Sequence, residues 1–308
     1  MLDPETFLVE LYVRVDEFCK TQLPPDVHPG PAAALERSEV VTLACFSQWR
    51  QFPSETAFYR WAGTHLRPLF PTLPSRPQFN RLVRRHGEAI TAFALHLGRE
   101  AAGADHAYEV IDGTGVRTRN AKRRGAGWLF GQADIGWCTR LGWYEGLRLL
   151  LSVTPRGAIT GWGLGPASTN DRTLAETFFA VRAVPDVRLP GVGQPVSDRY
   201  VADMGFSGQQ READWARDYG AIVVCPPQTG SKRAWPKPLK TWLAGIRQII
   251  ETVNARLLDP FRLDHERPHQ LSGLQARLAA KAALHNICLW LNRKFGRPDL
   301  AIADLIVW

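Results

Sequence analysis

The spacing of apolar residues changes near residue 105 and predicts two parts of different structure. In the first hundred residues, apolar side chains recur at helical spacing, and proline-rich breaks separate the segments that carry it. The clearest example is the run Phe7, Leu8, Leu11, Tyr12 and Val15. No strand-like alternation is evident there. Residues 1–103 are therefore predicted to form a helical domain.

After residue 105, short apolar runs are separated by glycine, a pattern typical of strands. Five strands are expected, at 107–111, 146–153, 158–163, in a less regular run before Asp203, and at 221–224. Helices are expected at about 171–184, 207–219, 239–258 and 270–293. Because each element must bury its apolar face against another, a sheet covered by helices follows. Residues 104–308 are predicted to form a mixed α/β domain, whose length and order suit an RNase H-like core.

Charge is distributed unevenly along the 308 residues. The formal net charge is +8, yet residues 1–50 carry 4 basic and 8 acidic side chains, while residues 51–100 carry 7 and 3. These two stretches cancel, so the whole positive excess falls after residue 100. A net positive charge favours a polyanionic partner, although it does not bear on the fold.

Basic side chains cluster in three places and are candidates for phosphate contact. One cluster consists of Arg117, Arg119, Lys122, Arg123 and Arg124, and a second of Lys232, Arg233, Lys237 and Lys240. A third, Arg81, Arg84 and Arg85, lies on a predicted helix that could be the second helix of a helix-turn-helix. The alternatives are solvated loops for the first two clusters and a packing helix with a charged outer face for the third.

The cysteines and the N-terminal segment indicate a reducing compartment. The five cysteines include no Cys-x-x-Cys pair, which argues against a zinc site or a disulfide framework. Asp3, Glu5 and Glu10 stand where a signal peptide would be basic. No apolar run reaches the ~18 residues of a membrane-spanning helix. A cytoplasmic protein without a membrane partner is expected.

Three acidic residues are candidates for metal-dependent chemistry. Asp112 and Asp203 close apolar runs that are typical of strand ends, and Glu251 lies in a predicted helix. Carboxylates suit Mg²⁺, which takes hard oxygen ligands and keeps several waters. In two-ion sites the ions lie roughly 3.5–4 Å apart and clamp both oxygens of an in-line displacement, with Asp112 as the bridging candidate. Taken singly, each acid could instead be an ordinary turn or surface residue, and Asp198 is the strongest rival to Asp203.

Five short blocks, in the same order along the chain, resemble DDE transposases of bacterial insertion sequences. They are Ile111-Asp-Gly-Thr-Gly115, Trp143 to Leu149, Gly165 to Asp171, Ala202-Asp-Met-Gly-Phe206, and Arg247-x-x-Ile-Glu-Thr-Val. The resemblance extends from about residue 105 to 292. The acids are separated by 91 and 48 residues, which leaves no room for a large inserted domain between the last two.

The resemblance implies an RNase H-like catalytic core in which Asp112, Asp203 and Glu251 hold two Mg²⁺ or Mn²⁺ ions. It further implies double-stranded DNA as partner, both terminal inverted repeats and target DNA, and a homo-oligomer, a dimer on DNA, in a bacterial cytoplasm. The implied reaction is phosphodiester cleavage followed by attack of the freed 3′-hydroxyl on target DNA. The alternatives are an RNase H-like nuclease or resolvase without strand transfer, and a DNA-binding protein that does not cut.

The chain departs from the family around the third acid. Where the family often has Tyr and Lys, this sequence has Ala244 and Leu258, which puts in doubt the contacts to the non-transferred phosphate. Arg247 lies four residues before Glu251, so on a helix the two share a face, and Arg247 could contact both the carboxylate and DNA phosphate. Lys240 or Arg256 could substitute for the missing Lys.

Two tryptophans, Trp128 and Trp137, lie in or after the first basic cluster. Core packing is the favoured interpretation for both. Stacking on a base extruded at a transposon end is the alternative.

Overall fold

The computed structural model describes residues 1–26, 33–103, 107–119, 129, 131–184, 189–232 and 234–308, without the side chain of Arg119. These residues form two compact units, each made of discontinuous segments. Unit 1 consists of Met1–Leu97, Pro260–Arg262 and Ser272–Trp308, and unit 2 of Gly98–Asp259 and Leu263–Leu271. Residues 272–308 thus belong to the same unit as the N-terminal helices. A domain boundary between residues 103 and 104 stays a prediction.

Unit 1 is helical, as the apolar spacing predicts. Its helices are α1 (Pro4–Gln22), α2 (Arg37–Phe46), α3 (Glu55–His65), α4 (Arg76–Arg85), most of α5 (Gly87–Ala102) and most of α9 (Leu271–Lys294). Asp3 caps α1 by accepting a hydrogen bond from the backbone N–H of Thr6, and Pro4 occupies the first turn, where a missing N–H costs nothing. The long run of buried residues on α9 makes it the central helix of this unit.

The C-terminal segment is fixed to the rest of unit 1 by backbone pairing. Leu2 forms a parallel β-bridge with Ile306, with hydrogen bonds from Leu2 N to Leu305 O and from Val307 N to Leu2 O, both 2.8 Å. Buried Asn292 on α9 donates to the carbonyl of Ala301 at 3.2 Å. Residues 299–308 therefore complete the unit that Met1 begins.

Unit 2 is built on one mixed sheet. Its strands are β1 (Glu109–Arg119), β2 (Asp134–Cys138), β3 (Gly142–Val153), β4 (Ile159–Pro166), β5 (Arg199–Val201) and β6 (Ile222–Val224). The order is β2-β3-β1-β5-β6, and β4 pairs with the second half of β3. The pairs among β1 to β4 are antiparallel, whereas β5 pairs in parallel with β1 and with β6.

Strand β2 was not predicted, and β1 and β3 are longer than expected. Glycines explain the difference, because a glycine inside a strand weakens the sequence signal and commonly marks a close approach of another chain segment. A Cβ at Gly136 in β2 would lie 2.2 Å from the carbonyl oxygen of Ala167. A Cβ at Gly146 in β3 would lie 2.1 Å from the carbonyl oxygen of Val116.

Helices cover the sheet on both faces. Helices α6 (Asp171–Ala183) and α7 (Gln209–Tyr219) close a core that contains Ile111 and Leu150. Helix α8 (Lys237–Leu258) packs against β1 and β3 and contacts Asp112. Successive strand residues point to opposite faces, so the neighbours Ile111 and Asp112 serve different sides of the sheet. The predicted mixed α/β class, and the four predicted helices after residue 170, are confirmed to within a few residues.

A buried ion pair connects β1 to α6. Glu109 is fully buried and accepts two hydrogen bonds, each 2.9 Å, from Arg182 Nη1, and further hydrogen bonds from the hydroxyls of Ser152 and Thr160. Burial alone would raise the pKa of Glu109, but the Arg182 charge and these hydrogen bonds outweigh it and lower the pKa. The pair fixes the start of the strand that carries Asp112.

Among the described residues, no helix is both long enough and apolar enough to cross a membrane.

Candidate active site

Asp112 lies in the middle of the sheet, on the face that α8 covers. It is the fourth residue of β1 and pairs with Leu151 of β3. Asn254 Nδ2 on α8 donates to Asp112 Oδ2 at 3.3 Å, and Arg247 Nη2 lies 3.7 Å from Asp112 Oδ1. The Asp112 side chain is 19% exposed. The carboxylate therefore faces two polar side chains from one helix and retains access to solvent.

Asp203 reaches the same place from the neighbouring strand. It follows β5 by two residues and caps a short 3₁₀ helix, Met204–Phe206, by accepting from Gly205 N at 2.7 Å. Its Oδ2 lies 3.9 Å from Arg247 Nη2. Strands β1 and β5 are adjacent and parallel, and Val110 pairs with Val201. Asp112 and Asp203 each come two residues after this pair, so they lie side by side. A single guanidinium group lies within 4 Å of both carboxylates.

Glu251 lies one turn after Arg247 on α8 and three residues before Asn254. It is exposed, and no hydrogen bond or ion pair joins it to another described residue. Within the described parts of the chain, no set of three or more His, Cys, Asp or Glu side chains lies close enough together to hold a metal ion. The structure thus brings Asp112 and Asp203 together around Arg247, and leaves Glu251 outside that group.

The environment of Asp112 favours its protonated form. Its pKa is raised from the ordinary 3.8 to about 7, mainly by burial, with the opposing effect of Arg247 partly offset by the nearby carboxylates of Asp203 and Asp171. Asp171 comes close because residue 113 is glycine: a Cβ there would lie 2.1 Å from Asp171 Oδ1. Arg148 holds Asp171 through two hydrogen bonds. Near neutral pH, a cation binding at Asp112 would therefore displace a proton.

The donor set at this place fits a hard divalent cation. Two carboxylates face one site, and Asn254 supplies an amide oxygen, Oδ1, that is buried and has no hydrogen-bond partner among the described residues. Oxygen ligands of this kind are those that Mg²⁺ prefers. Arg247 provides the positive charge at the carboxylates. Its Nε, like Asn254 Oδ1, is buried and has no hydrogen-bond partner among the described residues.

The basic residues predicted to contact DNA are only partly described. Arg117 is half-buried on β1, and Lys232 and Lys240 are exposed around the start of α8. In unit 1, Arg81, Arg84 and Arg85 are exposed on α4, as either interpretation of that helix requires. The side chains of Arg119, Lys122, Arg123, Arg124 and Arg233 lie outside the described residues, as does Trp128.

The expectation that Trp137 packs in the core is wrong. Trp137 is 57% exposed on β2 and lies opposite Trp143 of β3, which is 71% exposed. Both lie near the turn that joins β2 to β3, and among the described residues neither is covered. The register puts them on the same face of the sheet as Asp112, because partners in an antiparallel pair point the same way.

Sequence reasoning also missed Asn254, Asp171 and Arg148. Asn254 carried a usable signal, since it lies three residues after Glu251 and a helix brings such residues to neighbouring positions. Asp171 and Arg148 are joined across 23 residues of sequence, and no local pattern connects them.

The mixed sheet is RNase H-like, with one aspartate inside the central strand β1 and the second directly after the adjacent strand β5. Residues 109–287, more than half of the chain, match the family model of the transposase DDE domain, and the protein belongs to that family. The resemblance stated from the short blocks is confirmed, and members of this family generally use divalent metal ions. A search of curated proteins and a search of solved structures each found no match.

Proposed function

We propose that this protein is a DNA transposase that cuts phosphodiesters at the terminal inverted repeats of its element and joins the freed 3′-hydroxyl to target DNA. The observation that carries the proposal is the convergence of Asp112, inside β1, and Asp203, just after β5, on one side chain, Arg247. Membership of the transposase family supports it.

In this proposal Asp112, Asp203 and Glu251 would hold two Mg²⁺ or Mn²⁺ ions. Such ions would supply charge neutralisation at the attacking and leaving oxygens. Glu251 lies on the helix that covers Asp112 but does not reach the aspartates in the structure. A change of its side-chain rotamer or a small shift of α8 would be needed to bring its carboxylate to them. Its exposure leaves that movement unhindered by hydrogen bonds to described residues.

Arg247 has a second part in the proposal. In the structure it neutralises the two aspartates, through contacts of 3.7 and 3.9 Å that are long for ion pairs. Cation binding by the aspartates would leave the guanidinium without these partners. Its planar fork suits a phosphate group, so Arg247 would then turn to the DNA backbone.

The two reactions are in-line displacements at phosphorus. In the first, water forms a new P–O bond as the bond to the 3′-oxygen breaks, which frees a 3′-hydroxyl. In the second, that hydroxyl attacks a target phosphodiester, which loses its own 3′-oxygen as leaving group. One set of side chains can serve both, because the charge develops on the same kinds of oxygen. The reaction takes place on double-stranded DNA in the cytoplasm, with a dimer pairing two ends.

The test is cleavage of a labelled terminal-repeat duplex in Mg²⁺ or Mn²⁺ by wild type, Asp112→Asn, Asp203→Asn and Glu251→Gln at matched DNA occupancy. Asp218→Asn is the control, because Asp218 is exposed on α7 and pairs with Arg217. Metal-dependent nicking followed by joining to a plasmid is expected, and each of the three variants should lose both while the control retains them.

Other outcomes separate the alternatives. Nicking without joining would favour a nuclease or resolvase. DNA binding with no cutting by wild type would exclude the catalytic proposal and leave a DNA-binding derivative of a transposase. Loss of activity in the Asp112 and Asp203 variants but not in Glu251→Gln would remove Glu251 from the site.

A further inference from the structure

Asn254 differs from Asn292, a buried asparagine of the helical unit, in how its amide oxygen is used. Asn292 on α9 is completely buried and uses both ends of its amide: Nδ2 donates to the carbonyls of Asp299 and Ala301, and Oδ1 accepts from Arg297 Nε at 2.9 Å. Asn254 is 6% exposed, and its Nδ2 donates to Asp112, but its Oδ1 has no hydrogen-bond partner among the described residues. An amide oxygen offers two lone pairs, and a buried one is normally used.

The position of this unused oxygen indicates what it would bind. Asn254 is bonded to Asp112, the most buried of the three acids, and lies one helical turn from Glu251. A cation or water molecule bound to Oδ1 would therefore lie beside the carboxylates. A neutral oxygen here adds a ligand without adding to the negative charge that Asp203 and Asp171 already place near Asp112.

We propose that Asn254 is a positioning residue and additional oxygen donor for the cation held by Asp112. Its Nδ2 fixes the orientation of the Asp112 carboxylate, and its Oδ1 binds the cation or a water molecule of its hydration shell. The inference rests on the proposed metal site, and it extends that site from three acids to an acid-amide set. The side chains that support metal ligands commonly contribute 10–100-fold to metal affinity, so roughly that loss is expected on removal of the amide.

Two substitutions separate this role from a purely structural one. Asn254→Leu keeps the approximate volume and removes both polar ends, so it should fold, and its melting temperature without metal measures the cost of losing the hydrogen bond to Asp112. Asn254→Asp keeps an oxygen donor but puts a negative charge next to Asp112. This variant should be less stable than wild type in EDTA and should be stabilised more than wild type by metal.

The measurement is the affinity for Mn²⁺, from the electron paramagnetic resonance signal of the free ion, together with the melting temperature in EDTA and in Mn²⁺. Metal that binds only the folded protein raises the melting temperature according to its affinity, so the two readouts check each other. Thr252→Ala is the matched control, because Thr252 lies on the same helix and its hydroxyl donates only to Gln248 O of that helix. Asp112→Asn should abolish binding.

The expected result is Mn²⁺ binding about 10–100-fold weaker in Asn254→Leu, retained in Asn254→Asp and unchanged in Thr252→Ala. Wild-type affinity in Asn254→Leu, with Asp112→Asn still defective, would overturn this inference and leave the proposed function standing. Absence of any Asp112-dependent Mn²⁺ binding in wild type would overturn both. If Asn254→Leu does not fold, loss of the Mn²⁺-induced stabilisation in Asn254→Asp would overturn the inference by itself.

Discussion

Replacement of Asp112 by Asn should stabilise the metal-free protein, and increasingly so as the pH rises. The folded state raises the pKa of this carboxyl from 3.8 to about 7, mainly through burial. Between these values the unfolded chain releases the proton and the folded chain keeps it, so wild-type stability falls as the pH rises. Asn has a similar shape and does not titrate, so the stability of the variant does not fall with pH at this position.

The magnitude follows from the width of that pH interval. At 1.36 kcal/mol per pH unit, the shift from 3.8 to about 7 corresponds to roughly 4 kcal/mol in favour of Asp112→Asn above pH 7. Below about pH 4 both states of the wild type are protonated, and the two proteins should be nearly equal. Since a domain is stable by only about 5–15 kcal/mol, a difference of this size is readily measured.

The assay is urea denaturation of both proteins from pH 4 to pH 8 in EDTA, followed by tryptophan fluorescence. Asp218→Asn is the control of opposite sign, because a hydrogen bond from Arg217 lowers the pKa of Asp218 and its loss cannot produce a gain. A stability difference between Asp112→Asn and wild type that stays constant over this range would refute the reasoning. It would show that Asp112 is ionised in the folded protein at the same pH as in the unfolded chain.

Three further variants, two with a single substitution and one with a double substitution, test other parts of unit 2. Arg182→Met leaves Glu109 buried without its cation and should destabilise the protein by about 3–5 kcal/mol in urea denaturation, whereas an unchanged midpoint would argue against the buried pair. Gly113→Ala puts a Cβ 2.1 Å from a carboxylate oxygen at the start of α6 and should cost about 1–3 kcal/mol in the same assay, so neutrality would contradict the close approach. Replacing the exposed pair Trp137 and Trp143 by Ala should change stability by less than ~1 kcal/mol but weaken binding of labelled duplex in fluorescence anisotropy, and unchanged binding would exclude them from the DNA-binding surface.

The elements of unit 2 that could be predicted are those with one clear period. Helices α6 to α8 have apolar residues at helical spacing, and their ends agree with prediction to within a few residues. Strand β2 has exposed Ile135 and Trp137 on one face and a glycine on the other, which is the reverse of a normal half-buried strand. Its pairing depends on β3 and on the close approach of Ala167, and these contacts are not visible in a window of local sequence.

The candidate site could be predicted in its parts more readily than in its arrangement. The apolar runs before Asp112 and Asp203 predict a strand that leads into each aspartate, and adjacent parallel strands place the two side by side. The predicted strand end at Asp112 is wrong, because β1 continues to Arg119 and leaves Asp112 inside the strand. The partner of Arg247 could not be derived in the same way. Helical spacing favours a contact with Glu251, but in the structure the guanidinium lies within 4 Å of both aspartates instead, a choice that depends on how α8 lies across the sheet.

The discontinuity of unit 1 has a consequence for the order in which the protein folds during synthesis. Its helices α1 to α4 are made first, yet they belong to the same unit as residues 272–308, which are made after the whole of unit 2. Domains generally fold as units while the chain emerges. Unit 2 can therefore be complete while the older helices still lack α9 and its buried side. A chain interrupted near residue 270 would hold a finished sheet and an unfinished helical unit with exposed apolar surface, which makes it a natural substrate for chaperones and proteases.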